Sequence, residues 1–123
     1  LAKFLQGLGG DIQVNYPGLE ESPYHEIAKK QFKNGYGAIV TVRTGSKEKA
    51  FSIINSLQIP LIISNIGDTK TLVIHPESTI AAHISDKEKL QSGVFEDLIR
   101  ISVGIEDIED LKEDFKQAIE SNR

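Results

Sequence analysis

The run Leu98-Ile99-Arg100-Ile101-Ser102-Val103 is apolar and β-branched around a single guanidinium, and it reads as a strand. Period-two alternation puts Leu98, Arg100 and Ser102 on one face and Ile99, Ile101 and Val103 on the other. Such a strand needs partners. Residues 37–42 (Gly-Ala-Ile-Val-Thr-Val), 61–64 and 71–74 supply three, the last two joined through Asn65-Ile66-Gly67-Asp68. Val14-Asn15-Tyr16-Pro17-Gly18-Leu19 is a short extended piece running into a Pro-Gly turn.

Helical periodicity fills the intervals between these strands. Residues 1–8 carry Phe4, Leu5 and Leu8 on one face, and Gly9-Gly10 ends that helix. Ser22-Pro23 predicts a second start, with Tyr24, Ile27, Ala28 and Phe32 as its buried stripe. Residues 46–57 place Ala50, Phe51, Ile53, Ile54 and Leu57 inward. Residues 86–91 suit a short polar helix, and residues 75–84 read as irregular. The last helix, from 107 to about 119, opens on acids that complement its dipole and buries Ile108, Leu111, Phe115 and Ile119. The expected fold class is α+β: one domain over residues 1–123, with a small, mainly antiparallel sheet of about four strands and helices on one face.

Composition narrows the function classes. Hydrophobic residues make up 39% and charged residues 26%, the mix of an ordinary globular domain. A formal charge of −4 with no basic stripe argues against nucleic acid or an anionic membrane as partner. The absence of cysteine rules out disulfides, thiolate nucleophiles and Cys-ligated zinc, and fits a cytoplasmic location. There is no methionine and the chain opens at Leu1, so a fragment or processed chain is expected.

Catalytic machinery is not visible. Gly7-Leu8-Gly9-Gly10 and Gly35-Tyr36-Gly37 lack the strand-before, helix-after context of a phosphate loop and read as turns or caps. His25, His75 and His83 have no metal-ligand spacing, and surface or capping roles are expected of them. The acidic run from Glu106 to Asp110 reads as a solvated helix start. No catalytic, cofactor-binding or metal-binding residue is therefore assigned. The lysines lie in charged or turn-like contexts, away from any pocket that would depress a lysine pKa. One oddity remains. Arg100 is either an arginine on a half-solvated strand face or a planar fork for a carboxylate.

Three stretches together resemble one family. They are Val14-Asn15-Tyr16-Pro17-Gly18-Leu19 with Ser22-Pro23-Tyr24-His25, then Asn65 to Pro76, then Leu98 to Glu106. All are similar, in the same order, to the carboxy-terminal domain of the pyridoxal-phosphate enzymes of Cys/Met metabolism, fold type I. Tyr-Pro-Gly-Leu before Ser-Pro-Tyr-His, and Asn65 where methionine γ-lyases and cystathionine γ-synthases usually carry Ser, resemble the O-acetylhomoserine sulfhydrylases. That resemblance implies γ-replacement: acetate leaves O-acetylhomoserine and sulfide adds to give homocysteine, with pyridoxal phosphate as electron sink. It implies that Arg100 binds the substrate α-carboxylate and that Asn65 assists. It also implies that the lysine-bearing cofactor domain is absent here, so the chain alone is inactive, and that the full-length enzyme is a homotetramer. After His-Pro the family commonly reads Ala-Ser-Thr-Thr-His, whereas here Glu77-Ser78-Thr79-Ile80-Ala81 omits a hydroxyl and an imidazole. The rivals are a methionine γ-lyase or cystathionine γ-synthase domain and, from another class, a free-standing binding or assembly module.

Overall fold

The computed structural model describes all residues from Leu1 to Arg123. Its sheet has five strands: β1 (Gln13–Asn15), β2 (Ile39–Arg43), β3 (Leu61–Ile62), β4 (Leu72–Ile74) and β5 (Leu98–Ser102). They lie in the order β1-β2-β5-β4-β3, so the strand with the guanidinium is central. All neighbouring pairs are antiparallel except β3 with β4. The fold is thus the expected α+β type with one strand more. That strand, β1, belongs to the piece read only as extended, and it pairs Val14 with Val42.

Register explains the core. Val40 faces Ile101 and Val42 faces Ile99 across β2 and β5, while Val73 of β4 meets Ile101 from the other side. All five are buried in one cluster. Against it pack α1 (Ala2–Gly7), α3 (Lys47–Ser56) and α5 (Ile108–Glu120), through Leu5, Ala50, Ile53, Ile54, Phe115, Ala118 and Ile119. Burying side chains as large as Phe115 or Ile53 contributes roughly 1.5–3 kcal/mol each. The helix starts follow from their caps: Ser46 accepts from the Lys49 amide, and Asp107 from the Glu109 and Asp110 amides. Asp114 is buried and accepts from the Gln58 and Ile59 amides, tying α5 to the end of α3.

Periodicity turns Phe51 of α3 and Ile108 of α5 inward, but both are exposed, and three further expectations are corrected. First, α2 (His25–Gln31) begins after Tyr24, and Ser22 instead accepts from the Tyr24 amide in a turn. Of its predicted stripe only Ala28 is buried, while Tyr24, Ile27 and Phe32 are exposed. Second, His75 is neither on the surface nor a simple cap. It is buried against Phe51, and its Nε2–H donates to the Glu96 carbonyl at 2.6 Å, leaving Nδ1 to face the Ser78 hydroxyl. Third, Glu106 is not solvated helix-start charge; its contacts belong to the site described below. The remaining short helix, α4 (Asp86–Gln91), forms as expected with a Ser85–Glu88 capping box.

Residues 75–84 are irregular but anchored. Glu77 accepts from both Lys47 and Lys89 at 2.7 Å, with its side chain only 17% exposed. Hydrogen bonds from Lys47 and then Lys89 lower its carboxyl from 4.5 to about 2. A lowered acid stabilises the fold above its unfolded value and loses that contribution as pH falls through the folded one. Between pH 4.5 and about 2, urea denaturation of the wild type should therefore show a steeper loss of stability than that of Glu77→Gln.

Candidate functional site

Arg100 lies midway along the central strand, on the sheet face opposite the helix-packed core. Its register neighbours are Thr41 on β2 and Ile74 on β4. Leu98 and Ser102, on the same face, are buried, whereas Arg100 itself is half-buried. An extended strand thus presents one guanidinium from an otherwise covered surface. Nη2 donates to the Ser64 carbonyl at 2.6 Å and reaches that of Asn65 at 3.5 Å. The structure therefore brings Arg100 and Asn65 together, through the Asn65 backbone, with the Asn65 side chain exposed.

The charge on Arg100 is not neutralised within the chain. None of the ion pairs includes it. Arg43, by contrast, pairs with Asp97 at 2.9 Å and stacks on Phe95. A guanidinium has five N–H donors, and the loop carbonyls engage only Nη2. Both bidentate edges of a guanidinium include Nη2, so a planar anion can bind the edge whose Nη2 hydrogen the short Ser64 contact does not take.

Sequence reasoning missed what holds the loop in place. Alternate residues continuing from Arg100 each meet residues 64–71 in turn. The Ser102 hydroxyl accepts from the Gly67 amide at 3.1 Å. Gly104 lies against the Thr69 and Lys70 backbone, and its amide donates to Thr71 Oγ1 at 2.9 Å. Glu106 accepts from the Thr71 amide at 2.6 Å and the Thr71 hydroxyl at 2.7 Å. Between them the Ile105 amide donates to the Thr69 carbonyl. Burial pushes the Glu106 carboxyl upward, but the hydrogen bonds from Thr71 outweigh it and hold the group below its usual range. The period-two pattern ends with β5 at Ser102, so alternation marks Ser102 but carries no signal for Gly104 or Glu106.

Elsewhere the candidate chemistry is structural. Gly9, Gly10, Gly35 and Gly37 take positive φ, as turn and cap residues do. No group of three His, Cys, Asp or Glu side chains is placed to hold a metal. His83 is exposed, and His25 Nδ1 donates to the Pro17 carbonyl at 2.9 Å. Of the departures after His-Pro, Glu77 serves the ion pairs above, Ile80 is exposed and Ala81 is buried. A cleft of about 500 Å³ lies away from Arg100, but it is lined by the Arg43–Asp97 and Glu77–Lys89 pairs, whose charges are already met. Lys47 and Lys89 bind Glu77, Lys49 pairs with Asp11 and Lys112 with Glu109. The ammonium of Lys89 is raised by its hydrogen bond to Glu77, the opposite of what a nucleophilic amine needs. Lys3, Lys29, Lys30, Lys33, Lys70, Lys87 and Lys116 are exposed. No helix is long and apolar enough to cross a membrane.

Comparison with known proteins places this architecture. A homocysteine synthase from Schizosaccharomyces pombe is 43% identical over 121 residues, covering 98% of this chain and 28% of that protein. O-acetyl-L-homoserine sulfhydrylase 1 from Thermus thermophilus is 44% identical over 107 residues, 86% of this chain and 25% of the relative. The chain thus spans less than a third of the length of the curated relatives it matches. Among solved structures, yeast cystathionine γ-lyase superposes with a TM-score of 0.90 at 35% identity, over 97% of this chain and 31% of its own. A Campylobacter jejuni protein described as an O-acetylhomoserine (thiol)-lyase, holding N'-pyridoxyl-lysine-5'-monophosphate, gives 0.91 at 38% identity, over 97% and 28%. The model of the Cys/Met metabolism PLP-dependent enzymes matches residues 1–120, and with relatives and fold agreeing, this chain belongs to that family.

Proposed function

We propose that the chain is the carboxy-terminal, substrate-carboxylate-binding domain of a pyridoxal-phosphate-dependent O-acetylhomoserine sulfhydrylase. The observation that carries this reading is the un-neutralised guanidinium of Arg100, half-buried at the sheet centre and oriented by the Ser64 and Asn65 carbonyls. Asn65 supports the sulfhydrylase over the methionine γ-lyase or cystathionine γ-synthase alternatives, because those enzymes usually carry Ser there. The overall fold does not discriminate, since a cystathionine γ-lyase shares it. A free-standing binding module is disfavoured by relatives more than three times as long.

This chain's lysines do not fit a cofactor Schiff base, being paired or exposed, so that lysine belongs to the rest of the enzyme. Pyridoxal phosphate, when bound there, supplies the electron sink that lets acetate leave and sulfide add. The role of Arg100 is to hold the α-carboxylate of a small amino-acid substrate by two parallel hydrogen bonds. The Ser64 carbonyl sets the orientation of that fork, and the Asn65 carbonyl, at the limit of hydrogen-bond reach, assists. The exposed Leu61, Ile62, Ile63 and Ile66 beside the site suit a surface covered by another part of the enzyme. The complete protein works in the cytoplasm as a homotetramer, with neither nucleic acid nor membrane as partner.

The test is a direct assay. The complete enzyme should form homocysteine from O-acetylhomoserine and sulfide faster than it uses O-succinylhomoserine or methionine, and the isolated chain should turn over none. Preferential breakdown of methionine would instead assign a γ-lyase.

A further inference from the structure

We propose that Ser102 and Glu106 are positioning residues for substrate recognition: they pin residues 64–71 over β5 so that the loop carbonyls hold the Arg100 fork in its carboxylate-binding orientation. The inference rests on the reading of Arg100 given above and adds to it how the arginine is aimed. An arginine side chain is long and rotamer-rich, and a strand fixes only its root. The structure assigns its head two partners, Ser64 and Asn65, both in a segment exposed at every position from Leu61 to Lys70.

Beyond the pairing of Leu61 and Ile62 with β4, no side chain of that segment joins the core cluster, so the place of the residues after β3 depends on polar attachments. Ser102 takes the Gly67 amide and Glu106 takes both donors of Thr71, a residue with no exposed surface. The Ile105 amide takes the Thr69 carbonyl between them. The attachments come from one continuous run, the end of β5 and the four residues after it, so they act on the loop together. Loss of one attachment lets Ser64 and Asn65 shift relative to Arg100, and a misplacement near 1 Å is enough to weaken an oriented contact markedly. Ser102 and Glu106 make no ion pair with Arg100, so their effect passes through the loop.

The experiment uses the complete, cofactor-loaded enzyme and compares kcat and KM for the amino-acid substrate and for its α-carboxamide. Ser102→Ala and Glu106→Ala should each lower the preference for carboxylate about fivefold, by raising KM with kcat held within about twofold. Glu106→Gln should lose less of that preference than Glu106→Ala, because its amide oxygen still accepts from the Thr71 amide although the Thr71 hydroxyl loses its carboxylate acceptor. Arg100→Ala is the control for the underlying reading and should abolish the preference. Should Arg100→Ala abolish it while Ser102→Ala and Glu106→Ala leave KM at the wild-type value, with only melting temperature or cofactor content reduced, the two residues are structural and the proposal is wrong. Should Arg100→Ala itself keep the preference, the carboxylate site lies elsewhere and both readings fall. If Glu106→Ala does not fold, Ser102→Ala decides alone, since it removes one hydroxyl and adds no bulk.

Discussion

Arg100→Ala in the complete enzyme is expected to lower kcat/KM for the amino-acid substrate by about a hundredfold, and Arg100→Lys by at least about tenfold. The two values follow from geometry. Alanine removes the counter-charge of the carboxylate together with its donors, and a hydrogen bond to a charged partner is worth about 1.5–3 kcal/mol. Lysine restores the charge at a point but not the fork, so it cannot make two parallel bonds while also reaching the Ser64 and Asn65 carbonyls. Bound cofactor, followed by its visible absorbance, should remain at wild-type level in both variants. Near-wild-type kcat/KM in both would reduce Arg100 to a strand arginine that happens to meet a loop.

The strand carrying this residue was legible because alternation is a local property. Leu98 to Val103 needed no knowledge of neighbours, and the structure places Ile99 and Ile101 in the core as the pattern demands. The strand β1 was not legible for the opposite reason: its three residues pair through backbone groups with β2, and their side chains are at best half-buried. The stripe on α2 shows a second limit. Periodicity reports that Tyr24, Ile27 and Phe32 share a side with Ala28, but not that anything lies against it, and here they are exposed. For the site, Arg100 was visible as a charge in an apolar run, whereas assigning it to a carboxylate came from the resemblance of whole motifs. Glu106 was hidden among acids that looked like a helix start. Its partner Thr71 is 35 positions away, and no local pattern links the two.

Gly104→Ala is expected to be among the most disruptive single-methyl changes available near the site, at about 3 kcal/mol, the upper part of the range for overpacking. A Cβ there would overlap the Thr69 carbonyl oxygen, lie 2.5 Å from the Lys70 carbonyl carbon and 2.6 Å from Glu106 Oε2. Two of these atoms are main chain and cannot rotate away, so the loop must lift or the strand must yield. Gly67 provides the comparison within the same loop. Its φ is +75° with open space around it, so Gly67→Ala meets only the conformational cost of a left-handed residue, about 1 kcal/mol. The two glycines are therefore required for different reasons, one for space and one for backbone angle. Amide hydrogen exchange in the complete enzyme separates them, because it reads local opening residue by residue. In Gly104→Ala the Gly67, Thr71 and Ile105 amides, which close the loop onto Ser102, Glu106 and Thr69, should lose protection by about a hundredfold, whereas Gly67→Ala should change Thr71 and Ile105 by less than about tenfold. Equal, small changes in both variants would mean that the loop gives way at no cost, and that its close approach to Gly104 does not help to hold it.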